Sequence, residues 1–236
     1  MNETATKEAP GRAAMNAGKT AGGAGPGAVV LLVVLSLAAF AVLIGLGTWQ
    51  VQRLHWKEDL IATIDARIAS APLPLARIET RLADSGDVEY WPVTVSGAFR
   101  HEGERHFFAT HKGHSGYFVF TPLELDDGRF VLVNRGFVPF DRKEASTRAE
   151  GQVEGAQDVT GLARGRVTEK PNPLMPDNDP ARNVFYWKDL DAMAQSAGVG
   201  TRDDYLGLFV DADAAPNPGG LPVGGVTLIS LPNSHL

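Results

Sequence analysis

The chain has 236 residues, of which 44% are hydrophobic and 21% are charged, proportions typical of a folded protein. Its formal net charge is −6 and it has no sustained run of Lys or Arg, which excludes the basic surface that nucleic-acid binding requires. It contains no cysteine, which excludes disulfides, thiolate catalysis and Cys-ligated metal sites.

The first element is a long apolar run. Residues 28–46, AVVLLVVLSLAAFAVLIGL, carry no charge, and a helix of this length covers the ~30 Å hydrocarbon core of a bilayer. A cleaved signal peptide is the alternative, but the run is longer than a signal segment and ends in GTWQ. The sequence predicts a retained transmembrane helix over 28–48, preceded by a disordered cytoplasmic tail over 1–27.

The helix is predicted to continue past the lipid. Apolar residues recur at helical offsets at positions 54, 61, 64 and 68, before Pro72 and Pro74 break the pattern, which predicts a juxtamembrane helix over 49–70. Trp49, Arg53 and Trp56 share one face of this helix. They form either an interfacial belt or a docking edge for a flat anionic ligand or a partner helix, and the residues leave both interpretations open.

The sequence pattern of residues 71–218 predicts a β-rich domain. Short runs rich in β-branched and aromatic residues are separated by Gly, Asp, Asn and Pro. The runs are YWPVTVSGAF, RHFFAT, GYFVFTPLEL, RFVLVNRGFV, VTGLARGRV, NVFYW, YLGLFVD and VTLISL. They predict an antiparallel sheet curled into a barrel or sandwich, while KDLDAMAQSAG at 188–198 predicts a short helical insert ending at Gly198. The predicted fold class is α+β.

The last segment, 219–236, is apolar but rich in Pro and Gly, which would leave backbone groups unpaired in lipid. We interpret it as the lead-in to a second transmembrane helix, which would begin after Leu236. His235 would then lie at the start of that helix and be a functional candidate, whereas otherwise it is an exposed residue near a frayed terminus.

Two other features suggest binding chemistry. The segment HEGERHFFATHKGH contains four histidines, at 101, 106, 111 and 114, but their strand alternation favours a solvated hairpin over a metal site. In VLVNRGFVP, Asn134 and Gly136 indicate a turn or bulge, and Arg135 is either a structural cation or a binding group for an acidic partner or a propionate. No Gly-x-Ser-x-Gly elbow or phosphate loop supports an enzyme.

Five segments of the chain resemble, in the same order, the signatures of the Surfeit locus/Shy-type family of cytochrome c oxidase assembly factors. They are WQVQRLHWK, GYFVFTPLEL, VLVNRGFVP, NDPARNVFYWKDLD and LPNSHL. Two departures are Phe137, where many members carry Trp, and the lack of a second span. The residues that match the family's first motif, its Asn-Arg-Gly motif and its terminal histidine are Trp49, Gln50, Arg53, Leu54, Trp56, Asn134, Arg135, Gly136 and His235.

This resemblance implies a membrane-anchored protein without turnover of its own that helps to deliver heme a to the oxidase's largest subunit. It implies heme a synthase and the lipid bilayer as partners, and His235 as an axial-ligand candidate beside Trp49, Arg53, Trp56 and Arg135. Heme a, planar and apolar with two propionates, suits indole faces, an Arg and a His. We expect a bacterial inner-membrane protein with its main domain in the periplasm. The alternatives are a scaffold that binds only proteins and, more remotely, an extracytoplasmic hydrolase.

Overall fold

The computed structural model describes residues 25–227. By backbone contacts the chain divides into two compact units, residues 1–57 and 58–236. The first described element is helix α1, Pro26–Ile68. Its most apolar window has a mean hydropathy of 3.1 and buries no residue, so by length and composition this helix is able to cross a membrane. The predicted tail lies outside the described residues up to position 24, and the predicted segment boundaries stay predictions.

The second unit is built on a closed five-stranded barrel. Its order is β2-β6-β7-β5-β4, and pairing between β2 and β4 closes it. Within the barrel, pairing is antiparallel except between β5 and β7. Two further strands extend the sheet: β1 lies parallel to β2, and β3 lies antiparallel to β4. The bounds are β1 Leu73–Pro74, α2 Leu75–Ser85, β2 Pro92–Phe99, β3 Arg105–His111, β4 His114–Glu124, β5 Phe130–Pro139, β6 Ala156–Gly165, α3 Leu190–Ser196 and β7 Tyr205–Ala212. The predicted α+β class is confirmed, with a barrel and two parallel strand pairs, β1–β2 and β5–β7.

The barrel is buried on both faces. Successive residues of a strand point to opposite sides, so Val131 and Val133 enter one apolar cluster while Leu132 enters the other. Helix α2 covers the first cluster through Ile78, and α3 covers the second through Met193. This double burial explains why β5 reads as a nearly continuous apolar run rather than as an alternating strand.

Two local predictions differ from the structure. Helix α2 was not predicted; it ends before Gly86, which lies in the left-handed region with φ +69°. The run NVFYW was predicted as a strand but forms isolated bridges, Phe107 with Phe185 and Asp179 with Val184. Asn183 has φ +52° there, which interrupts an extended conformation.

The helical insert is confirmed as α3. Its N-cap is Asp189, whose carboxylate accepts a hydrogen bond from the Ala192 amide. Gly198 follows the helix with φ +69°, the left-handed conformation that glycine adopts without strain. Both ends of α3 are set by residues close to it in the chain, so the sequence alone predicts them.

Candidate functional site

On α1, Trp49 is exposed and the neighbouring Arg53 is half-buried. The Arg53 guanidinium carbon lies 5.5 Å from the centroid of the Trp49 ring, within the range of a cation–π contact. Trp49 and Trp56 are 48% and 47% exposed. This arrangement offers an indole face and a cation together, suited either to a headgroup region or to a flat anionic ligand.

The five predicted site residues are not all placed together. His235 lies outside the described residues, so its meeting with Trp49 stays a prediction. Trp56 lies on α1, one turn beyond Arg53, and Arg135 lies on β5 in the second unit. The structure brings Trp49 and Arg53 into contact, and the assignment of the set to one cofactor site is untested.

Asn134 of the Asn-Arg-Gly motif joins β5 to β7. Its side-chain amide donates to Asp211 Oδ1 at 2.9 Å, and its carbonyl oxygen accepts from the Gly136 amide at 3.1 Å. Both Asn134 and Asp211 are 2% exposed. A buried amide satisfied on both sides fixes the middle of β5, where the motif lies and the register with β4 shifts.

Arg135 is a buried cation with several partners. Its guanidinium donates to the Gly151 carbonyl and, at 3.2 Å, to Asn217 Oδ1, and it lies 4.8 Å from the Phe99 ring. Its nearest carboxylate oxygen, Glu104 Oε1, is 3.6 Å away. Burial lowers the pKa of Arg135 to about 10, with Glu104 opposing the shift. These contacts describe a structural role, and cofactor binding by Arg135 stays a prediction.

Gly136 allows the C-terminal segment to dock on β5. The Phe137 amide donates to the Val223 carbonyl at 2.9 Å, and the Val223 amide donates to the Phe137 carbonyl at 2.8 Å. Gly136 has φ +127°, and a Cβ there would overlap the Val223 carbonyl oxygen. The motif therefore holds the segment that leads towards the predicted second span.

A buried ionic cluster beside this motif was missed by the sequence analysis. The Glu104 carboxylate accepts two hydrogen bonds from the Arg148 guanidinium, one of them 3.1 Å long. Burial alone would raise the pKa of Glu104, but contact with His101 and hydrogen bonds and charge from Arg148 lower it to about 2. Glu104 and Arg148 are 44 residues apart, so no local pattern signals the pair.

The prediction of a solvated histidine hairpin is wrong for His106. His111 and His114 pair at the tip of the β3–β4 hairpin, whereas His106 is 6% exposed and lies 3.9 Å from Glu104 Oε2. Burial lowers the pKa of His106 to about 4. Over residues 25–227, no group of three or more His, Asp or Glu side chains is arranged to hold a metal ion.

Comparison with known proteins identifies the family. A model of the SURF1 family matches residues 37–236, which include the Trp49 and Asn134 motifs. The chain belongs to the SURF1 family. Surfeit locus protein 1 of Rattus norvegicus is 39% identical over 212 residues, covering 83% of this chain and 66% of the relative.

Two other relatives have similar values. Surfeit locus protein 1 of Homo sapiens is 36% identical over 223 residues, covering 87% of this chain and 69% of the relative. A SURF1-like protein of Monosiga brevicollis is 38% identical over 213 residues, covering 85% of this chain and 77% of the relative. The predicted family is confirmed, and the chain spans about two thirds of the length of its rat and human relatives.

Proposed function

We propose that this chain is a membrane-anchored, non-enzymatic assembly factor for cytochrome c oxidase that assists delivery of heme a to the largest oxidase subunit. The SURF1 family membership over residues 37–236 supports the assembly role. The observation that carries the heme proposal is the contact between the exposed Trp49 ring and the half-buried Arg53 guanidinium, on a helix long and apolar enough to cross a membrane.

The chemistry of these side chains fits a heme. A porphyrin is flat and apolar and bears propionates, so an indole face suits its ring and a guanidinium suits its carboxylates. Trp49, Trp56 and Arg53 would hold these parts, and His235 would supply an axial imidazole. When bound, the heme is cargo for the oxidase. Because the guanidinium of Arg135 is buried among protein partners, we assign it a structural role, in which it holds the C-terminal segment.

We further propose that the β-rich unit is periplasmic in a bacterial inner membrane and that heme a synthase and the largest oxidase subunit are the protein partners. The apolar helix supports a bilayer as the environment of the anchor. The relatives compared above are eukaryotic, so fractionation of cells that express the tagged protein is the measurement for its location.

The test is co-expression of the complete coding sequence with heme a synthase, followed by purification and measurement of the Soret absorbance per mole of protein. We expect Trp49→Ala, Arg53→Ala and His235→Ala each to lower heme content at least fivefold. Val51→Ala is the matched control, because Val51 is 54% exposed and lies about 200° around the helix from Trp49. Protein that is always free of heme, or variants that retain full heme content, would refute direct binding.

The alternative is a scaffold that binds proteins without touching heme. The same contact favours it, since exposed indoles beside an arginine also suit a partner helix. In that case Trp49→Ala would reduce copurification of the largest oxidase subunit while the wild type carries no heme. A screen of generic ester and phosphoester substrates tests the hydrolase alternative, and we expect no turnover.

A further inference from the structure

An aromatic cavity lies in the second unit. It has a volume of about 210 Å³. Phe107 and Phe118 come from β3 and β4, while Met175, Tyr186 and Trp187 come from the segment between β6 and α3. Aromatic and apolar walls of this kind favour a ligand with a hydrocarbon or ring body.

One ammonium group lies among these walls. The Lys188 side chain is 21% exposed, and its Nζ is 5.5 Å from the centroid of the Phe120 ring. Among residues 25–227, its nearest charged partner is Asp211 Oδ1 at 3.6 Å, longer than a normal hydrogen bond. An ammonium group has three donors, and Asp211 engages at most one of those of Lys188.

Both carboxylate oxygens of Asp211 already accept hydrogen bonds from other side chains. Its Oδ1 accepts from Asn134 at 2.9 Å, and its Oδ2 accepts from Arg164 at 2.9 Å. Burial lowers the pKa of Lys188, and the charge of Asp211 opposes that shift. A partly buried cation that shares an occupied carboxylate gains from an additional anion.

We propose that this cavity binds a small monocarboxylate with an apolar body, whose carboxylate accepts hydrogen bonds from Lys188 Nζ. Its ring or hydrocarbon part would pack against Phe107, Phe118 and Trp187. The cavity volume of about 210 Å³ equals the volume of roughly seven water molecules in the liquid. It is below the roughly 300–1,000 Å³ of pockets that bind drug-sized ligands. A porphyrin does not fit inside, so the inference is independent of the heme proposal.

The probe is phenylacetate, with 2-phenylethanol as a neutral analogue of the same body and 2-phenylethylammonium as a cationic one. Binding is measured by calorimetry on the full chain in lipid nanodiscs, and empty nanodiscs correct for partition into lipid. We expect phenylacetate to bind at least tenfold more tightly than the alcohol, and the cation to bind more weakly than either. Equal binding of acid and alcohol, or no binding of phenylacetate at millimolar concentration, would overturn the proposal.

Two variants separate the cation from the cavity. Lys188→Met keeps a linear side chain, and we expect it to weaken phenylacetate binding at least tenfold while leaving binding of the alcohol unchanged. Val167→Trp introduces bulk at a cavity-lining position and should abolish binding of both probes. Lys57→Met removes the same charge from α1, does not line the cavity and should bind like wild type.

Thermal unfolding of each variant checks that it is folded. We expect Lys188→Met to remain folded, because Asp211 keeps its hydrogen bonds with Asn134 and Arg164. A folded Lys188→Met that binds phenylacetate as tightly as wild type would refute the role of the ammonium. Heme content of the same variants distinguishes the two proposals, because we expect Lys188→Met to retain it.

Discussion

The Glu104 carboxylate and the Arg148 guanidinium form a buried two-pronged pair, with side chains 5% and 1% exposed. Arg148 also donates to the carbonyls of Arg142 and Lys143, which ties β3 to the chain after β5. Glu104 is thus the counterion of Arg148 and the nearest carboxylate to Arg135.

We expect Glu104→Gln to lower the free energy of unfolding by about 3–5 kcal/mol, because it leaves buried guanidinium groups without their charge partner. Chemical denaturation measures this. Glu79→Gln is the matched control: Glu79 pairs with Arg129, but their side chains are 29% and 42% exposed. Its loss should cost no more than about 1 kcal/mol. Similar costs for the two variants would contradict the assigned role of Glu104.

The pKa shifts of His106 and Glu104 predict that the protein loses stability in two steps as the pH falls. The unfolded chain protonates His106 near pH 6.5, whereas the folded chain does so near pH 4, so stability falls as the pH drops through that window. Glu104 is protonated near pH 4.5 when unfolded and near pH 2 when folded, so its contribution is lost between those values. We expect a loss of a few kcal/mol between neutral pH and pH 4, measured by urea unfolding across the pH series.

The variant His106→Phe should flatten the stability curve between pH 6.5 and 4, because a phenyl ring replaces the buried imidazole beside Tyr117. His114→Phe, at the exposed hairpin tip, is the control and should keep the wild-type slope. An unchanged slope in His106→Phe would show that another group produces the acid sensitivity.

Gly136→Ala tests the docking of the C-terminal segment. We expect a loss of more than about 2 kcal/mol, from strain at φ +127° together with the clash at the Val223 carbonyl. Hydrogen exchange should also accelerate at Phe137 and Val223. Gly128→Ala is the control, since Gly128 has φ +82° but open space around it, and should cost about 1 kcal/mol. Unchanged exchange at Val223 would contradict the docking role.

Asn134→Asp places a second carboxylate beside Asp211, at the site of a 2.9 Å hydrogen bond. We expect the free energy of unfolding to fall by about 3 kcal/mol at neutral pH, because two adjacent buried carboxylates cannot both ionise cheaply. Adding Asp211→Asn restores one amide and one carboxylate and should recover part of the loss. A double variant less stable than Asn134→Asp would argue against a direct interaction.

Local signals carried much of the fold prediction. The uncharged run at 28–46 predicts α1 because helix length and lipid thickness are fixed by backbone geometry. Asp189 and Gly198 predict α3 because caps satisfy backbone groups within a few residues. Helix α2 was not predicted, because it is short and has no side-chain N-cap to mark its start, although its sequence is strongly amphipathic.

What the sequence by itself determined is therefore the apolar helix, the β-rich texture and the motifs that place the chain in its family. Tertiary structure decided which residues meet: Glu104 with Arg148 across 44 positions, and Asn134 with Asp211 across 77. Such pairs follow from strand order, and several strand orders can bury the same apolar runs. The environment of Lys188 has the same origin, because the segment between β6 and α3 meets side chains of β3 and β4 that are distant in the sequence.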